Sequence, residues 1–291
     1  MSTLPDFTRI GQVGLSVDSL DRASRFYRRI VGLEPGRRTD DREPGQRIDG
    51  RATFGAGERT LLELRAAPDE PPRPDDAAGL FHVAYRVPSR VALAAALGRI
   101  REYWWLAGAS DHLVSEALYL DDPEDHGVEI YCDRPREGWE RTPNGGILID
   151  SLPLDTGDLA AEPNGASDGT VPPETDVGHV HLEVTDLDRA RAFYVDALGF
   201  EETFRMQGAL FAAAGGYHHH LGLNTWHGRS EPASGRGLDW FELLFPNRDS
   251  LEGALDRLDE AGYVPERTDD RVAVEDPDGI EVRLAVENGS E

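Results

Sequence analysis

The octapeptide Ile10-Gly11-Gln12-Val13-Gly14-Leu15-Ser16-Val17 has a counterpart far downstream, Val177-Gly178-His179-Val180-His181-Leu182-Glu183-Val184. Both read as strands by alternation, with successive side chains on opposite faces. Each runs into an Asp or Ser cap and an amphipathic helix. The first is Ser19-Leu20-Asp21-Arg22-Ala23 through Phe26-Tyr27 to Gly32-Leu33, and the second is Asp186-Leu187-Asp188-Arg189-Ala190 through Phe193-Tyr194 to Gly199-Phe200. Leu20, Ala23, Tyr27 and Ile30 fall on one helical stripe, as do Leu187, Ala190, Tyr194 and Leu198, so both helices are expected to bury one face. The glycine after each helix suits a left-handed terminating position. Further strands follow, ending at Thr60-Leu61-Leu62-Glu63-Leu64 in one copy and at a triple histidine in the other.

Working outward, each half starts again. Gly79-Leu80-Phe81-His82-Val83-Ala84-Tyr85-Arg86 leads to a helix around Val91 to Trp104, and Gly237-Leu238-Asp239-Trp240-Phe241-Glu242-Leu243-Leu244 leads to one from about Ser250 to Ala261. Both halves close with a turn and a strand, Asp122-Pro123 through Glu129-Ile130-Tyr131 and Asp276-Pro277 through Glu281-Val282-Arg283. The pattern is four βαβββ modules in two halves, an α+β chain with an internal repeat. Periodicity fails between about Asp133 and Asp176, where Pro, Gly, Asp and Asn dominate. The expected organisation is an N-terminal domain over 8–133, a connector over 134–175 and a C-terminal domain over 176–287.

Composition narrows the partners. The chain has 291 residues with 30 basic against 55 acidic side chains, a formal charge of -25. Phosphate surfaces repel such a molecule, which argues against nucleic acid or an anionic membrane as partner. Every basic residue is arginine; the sequence has no lysine. A lysine-free, carboxylate-rich surface reads as a halophilic habitat signal. The single cysteine, Cys132, excludes an intramolecular disulfide and a Cys-rich zinc site. No apolar run approaches a membrane span, and Met1 to Thr8 lacks signal-peptide character, so a cytoplasmic protein is expected.

The stretch Gly216-Tyr217-His218-His219-His220-Leu221-Gly222-Leu223-Asn224-Thr225-Trp226 carries three consecutive imidazoles. Read as a strand, it places His218 and His220 on one side and His219 on the other. Imidazole is the commonest metal ligand near neutral pH, and a short His-rich tract is a compositional hint of a metal site. His112 and His126 lie in loop-like sequence and read as solvated. Phe26-Tyr27, Phe193-Tyr194, Trp104-Trp105 and Trp226 read as packing residues.

The unit order resembles the vicinal-oxygen-chelate superfamily of glyoxalase I, extradiol dioxygenases and bleomycin-resistance proteins, over nearly all the chain outside the connector. The stretch Gly216 to Trp226, together with Ala109-Ser110-Asp111-His112-Leu113-Val114-Ser115-Glu116-Ala117-Leu118-Tyr119-Leu120 and Ile130-Tyr131-Cys132-Asp133-Arg134-Pro135, is similar to the two-domain catechol 2,3-dioxygenase-like group. The resemblance implies two half-open β-barrel domains, each made of paired modules, with metal ligands on the first and last strands of each module. In the C-terminal half those positions carry His179, His220, Trp240 and Glu281, of which Trp240 cannot bind metal. Two histidines and a carboxylate suit non-haem Fe(II), with Mn(II) or another divalent metal as substitute. In the N-terminal half the positions carry Gln12, Glu63, His82 and Glu129, a set like that of glyoxalase I.

The implied activity is extradiol cleavage of a catechol-like aromatic substrate by O2. His179, His220 and Glu281 would hold the metal, and His181 or His218 would take a phenolic proton. Two alternatives remain open at this point: a glyoxalase-like isomerase using the Gln12/Glu63/His82/Glu129 set, and a resistance-type binder without turnover. No motif fixes the oligomeric state, and a homo-oligomer stays open.

Overall fold

The computed structural model describes residues 4–36, 50–143, 145–162, 169–268 and 271–287. The first repeat comprises β1 (Arg9–Val17), α1 (Leu20–Phe26) with a π-helical turn (Tyr27–Val31), β2 (Glu34–Pro35), β3 (Arg51–Ala56) and β4 (Arg59–Ala66). The second comprises β5 (Gly79–Arg86), α2 (Arg90–Tyr103), β6 (Gly108–Asp111), β7 (Ser115–Asp121) and β8 (Gly127–Asp133). Two short elements follow, β9 (Leu152–Pro153) and α3 (Thr156–Ala160). The third repeat comprises β10 (Asp176–Glu183), α4 (Leu187–Arg191) with its π-helical turn (Ala192–Ala197), β11 (Glu201–Met206), β12 (Ala209–Ala213) and β13 (Leu221–Asn224). The fourth comprises β14 (Leu238–Phe245), α5 (Arg248–Glu260), β15 (Glu266–Arg267), β16 (Val272–Glu275) and β17 (Glu281–Val286). The chain is therefore the α+β assembly of βαβββ modules that the repeat predicts, with its strands in two curled sheets.

Local chemistry sets the helix limits. The Ser19 hydroxyl accepts the Arg22 N–H at the start of α1, and the Asp186 carboxylate accepts the Asp188 and Arg189 N–H groups at the start of α4. Gly32 and Gly199 close the two helices with φ of 91° and 100°. A side chain at either position would also collide with an arginine, since an added Cβ would lie 2.9 Å from Arg99 Nη2 or from Arg257 Nη2. Those guanidinium groups donate to Val31 O at 2.8 Å and to Leu198 O at 2.6 Å, so the second helix of each half caps the first.

The chain divides into two compact units. One consists of Gly14–Pro71 and His82–Val177. In it β4, β3 and β2 follow the end of β1, and β8, β7, β6 and β9 follow β5 in that order. β5 and β8 run parallel, with Ala84 opposite Glu129, and β7 runs antiparallel to β8, with Tyr119 opposite Glu129. First and last strands of a module can pair in parallel only because a helix and two strands separate them in sequence. Ala84, Ala117 and Tyr131 form a buried cluster against which Tyr119 packs. Tyr27 donates to Asp122 at 3.1 Å, joining the first two repeats. The expected connector is tied down: Arg90 at the start of α2 binds Glu116, Asp158 and Glu162.

The other unit consists of Met1–Val13, Pro72–Phe81 and Gly178–Glu291. Two short segments thus side with the C-terminal repeats rather than with their sequence neighbours. β14 and β17 run parallel, with Trp240 opposite Glu281, followed by β16 and β15. β10 and β13 run parallel, with Val180 opposite Leu221, followed by β12 and β11. Tyr194 donates to Asp276 at 2.8 Å, repeating the Tyr27–Asp122 bond. Among the described residues no helix is long and apolar enough to cross a membrane.

Candidate metal centre

Period-two alternation puts His82 and Ala84 on one face of β5, and the register sets Glu129 beside Ala84 on β8. His82 Nε2 lies 3.0 Å from Glu129 Oε2, with side chains only 8% and 3% exposed. Glu129 also accepts the hydroxyl hydrogen of Tyr119. Burial, with the Glu129 carboxylate second, pushes the Tyr119 hydroxyl well above its ordinary pKa, so it stays a donor. His112 lies on the far side of that hydroxyl, with Nε2 2.6 Å from Tyr119 Oη and Nδ1 2.7 Å from Asp150 O. A carbonyl only accepts, so His112 Nδ1 carries hydrogen. The Tyr119 oxygen thus bridges the Glu129 carboxylate and His112 Nε2. Glu129, Tyr119 and His112 form one hydrogen-bonded row from a buried carboxylate to a peripheral loop.

Backbone strain supports this arrangement. Leu113, next to His112, has φ of 67°, a conformation costly for a leucine. Its N–H is held at 2.9 Å by Asp111 Oδ1, and Asp111 Oδ2 binds Arg134 at 2.7 Å. His112 is thus a positioned hydrogen-bonding residue, not the solvated loop histidine that sequence suggests. His126 likewise binds Asp122 through Nδ1 at 3.1 Å. Burial alone would raise the Asp122 carboxyl, but the His126 ring and backbone N–H donors outweigh it and hold the pKa below the ordinary value.

In the unit that contains the third and fourth repeats, the triple histidine departs from the expected strand. β13 begins only at Leu221, and His218, His219 and His220 occupy the turn before it. The ring that packs on His179 belongs to His219, with centroids 4.2 Å apart. His218 Nδ1 lies 2.8 Å from His219 Nδ1, and its carbonyl accepts from Thr203 at 2.7 Å. His220 points elsewhere: its Nδ1 accepts the Ala214 N–H at 3.2 Å, and its ring packs on Tyr217. The alternation argument failed here because Gly215 and Gly216, with φ of 62° and 63°, break the extended run.

His181 lies among aromatic rings, 4.9 Å from Phe81, 5.3 Å from Trp226 and 5.6 Å from Phe211 by centroid. Gly222 makes room for it, since an added Cβ would lie 2.7 Å from His181 Cγ. Trp226, read as packing from sequence, is 44% exposed and forms one wall of this box.

The expected ligand sets are split. Among the described residues, His179, His220 and Glu281 do not form a group of donors able to share one ion. Glu281 instead accepts from Arg283 Nε at 2.7 Å and Arg271 Nη1 at 3.3 Å, and the Arg283 guanidinium lies 3.7 Å above the Trp240 ring. A cation–π contact and an ion pair thus fill positions that carry His82 and Glu129 in the second repeat. In the N-terminal set, Glu63 pairs with Arg51 on the β3–β4 hairpin, while the Gln12 N–H is donated to Glu242. His82 and Glu129 are the members of that set brought together. A buried imidazole nitrogen beside a buried carboxylate, with tyrosine behind it, fits a divalent ion: both donor types bind such metals, and the tyrosine is an outer partner that orients the carboxylate.

Curled sheets of βαβββ modules with a buried imidazole–carboxylate pair define a vicinal-oxygen-chelate protein with a candidate metal centre. The chain belongs to the Glyoxalase/Bleomycin resistance protein/Dioxygenase superfamily, whose family model matches residues 9–131 and 176–284. It is 38% identical over 283 residues to a protein of Bacillus subtilis (strain 168) named catechol-2,3-dioxygenase, covering 95% of this chain and 96% of that one. Its fold is similar to a crystal structure from Bacillus subtilis subsp. subtilis str. 168, provisionally described as a dioxygenase, with TM-score 0.65 and 13% identity over 99% of this chain and 87% of that one. It is also similar to glyoxalase I from Zea mays, with TM-score 0.58 and 17% identity over 95% and 92% of the two chains.

Proposed function

We propose that this chain is an extradiol-type dioxygenase acting on a catechol-like aromatic substrate, and that His82 and Glu129 hold its divalent metal. The observation that carries the reading is the buried His82–Glu129 pair with Tyr119 and His112 behind it. The kinship to a relative named catechol-2,3-dioxygenase supports the reaction class. Imidazole and carboxylate are the ligand types of non-haem Fe(II) oxygenases, which makes Fe(II) the expected ion and Mn(II) its substitute. Bound there, the ion supplies Lewis-acid polarisation and a template for the two vicinal oxygens of a catechol.

The chain's own residues do the rest. Tyr119 orients the Glu129 carboxylate, and His112 sets which way the Tyr119 hydrogen points. His181 takes a phenolic proton, a role open to an imidazole nitrogen, and the box of Phe81, Phe211 and Trp226 packs against an aromatic ring. His218 is held away from this duty by its contacts with His219 and Tyr217 and serves to seat the His219 ring. The test is to load anaerobically purified protein with Fe(II), admit catechol and O2, and follow the yellow ring-opened product. Metal-replete protein that turns over no member of a catechol panel would remove the proposal. A His82→Ala variant that keeps full metal content would remove the ligand pair while leaving the reaction class standing.

A further inference from the structure

A cavity of about 680 Å³ opens beside α1 and the β3–β4 hairpin. That volume is in the range of small-molecule sites. The strands that carry His82, Tyr119 and Glu129 contribute nothing to its lining. Four arginines face it, Arg25, Arg28, Arg29 and Arg59, against two glutamates, Glu34 and Glu58, a formal excess of two positive charges.

This excess stands out against the chain. Ten of the 30 basic residues and only six of the 55 acidic ones fall between Arg22 and Arg59, so the stretch is net positive by four in a chain of -25. Helix-dipole complementarity accounts for Arg28 and Arg29 at the end of the first helix, but not for Arg59, which comes from a hairpin strand. Arg25, Arg28 and Arg29 are bonded to no carboxylate among the described residues. Two of the four guanidinium groups are held in place by neutral partners. Arg29 lies 3.8 Å over the Tyr103 ring, and Arg59 donates to Pro173 O at 3.1 Å. Arginine forks match phosphate oxygens in pairs, and groups already positioned lose less entropy on binding.

We infer that this cavity is a binding site for a phosphate dianion, free or carried as a monoester by a small molecule, and that it is separate from the metal centre. The molecule as a whole repels anions, so saturable phosphate binding must come from a local arrangement and not from general charge.

Calorimetric titration of the intact protein with inorganic phosphate, and separately with glycerol 1-phosphate, tests this at fixed ionic strength with chloride as the balancing anion. The expected result is saturable binding at one site per chain by at least one of the two, weakened at least tenfold in an Arg28→Gln/Arg59→Gln variant. Binding of both compounds, or of one alone, supports the site and tells which source it accepts. Thermal unfolding in chloride serves as the control for folding, and Arg25→Gln alone replaces the double variant should that variant unfold. Absence of saturable heat with both compounds, equal affinity in the variant, or an equal effect of chloride would overturn the inference. None of these results depends on the dioxygenase assay.

Discussion

Tyr119→Phe isolates the hydroxyl behind the candidate metal centre. The phenylalanine ring keeps the contact with His82, whose centroid lies 5.8 Å from that of Tyr119, and keeps the packing on Ala84, Ala117 and Tyr131. What disappears is one oxygen that bonds both Glu129 and His112. Loss of an outer hydrogen-bond partner to a metal ligand costs roughly 10- to 100-fold in metal affinity or activity. That is about 1.4 to 2.8 kcal/mol of ligand orientation. The measurements are metal affinity by competition with a chelator, and kcat/KM for catechol cleavage in the metal-saturated enzyme. His112→Gln tests the far contact on its own, because an amide can still donate to Tyr119. It should keep metal affinity near that of the parent. A Tyr119→Phe protein within twofold of the parent in both affinity and kcat/KM would refute the role given to this row.

Other expectations follow from the same geometry. The chain should bind one equivalent of divalent metal and not two, because Arg283, Trp240 and Glu281 satisfy one another in the fourth repeat; metal analysis of loaded protein checks this, and His82→Ala should abolish the single equivalent. Gly222→Ala should displace the His181 ring at an overpacking cost of about 1–3 kcal/mol and lower kcat, read by thermal unfolding and turnover. Burial raises the Asp276 carboxyl to a pKa of about 6, above its unfolded value, so folding favours the protonated form. That contribution is complete at pH values below the unfolded pKa and is lost as pH rises through 6, on the order of 3 kcal/mol in all. Urea unfolding between pH 4 and 7 should show the decline in the parent and a flatter response in Asp276→Asn, and parallel curves would contradict it.

The repeat was legible in the sequence because its signals are local. Alternation in β1 and β10, caps at Ser19 and Asp186, and glycines at 32 and 199 act within a few residues, and the structure forms each element there. The same locality made His82, Glu129 and His179 recognisable as donors on first or last strands. Grouping those donors was beyond the sequence, because side chains meet through strand register and through partners distant along the chain. The β5–β8 register sets His82 against Glu129, whereas Arg51 claims Glu63 and Arg271 and Arg283 claim Glu281. Tertiary structure also decided the triple histidine, where two left-handed glycines replace a strand by a turn and send His219, not His220, onto His179. His112 appeared to be a loop residue because its partners, Tyr119 and Asp150, are brought to it by hairpin pairing and by the segment after β8. Sequence alone therefore determined the modules and the supply of donors, which depend on neighbours along the chain. Which donors face one another was decided by pairing across strands.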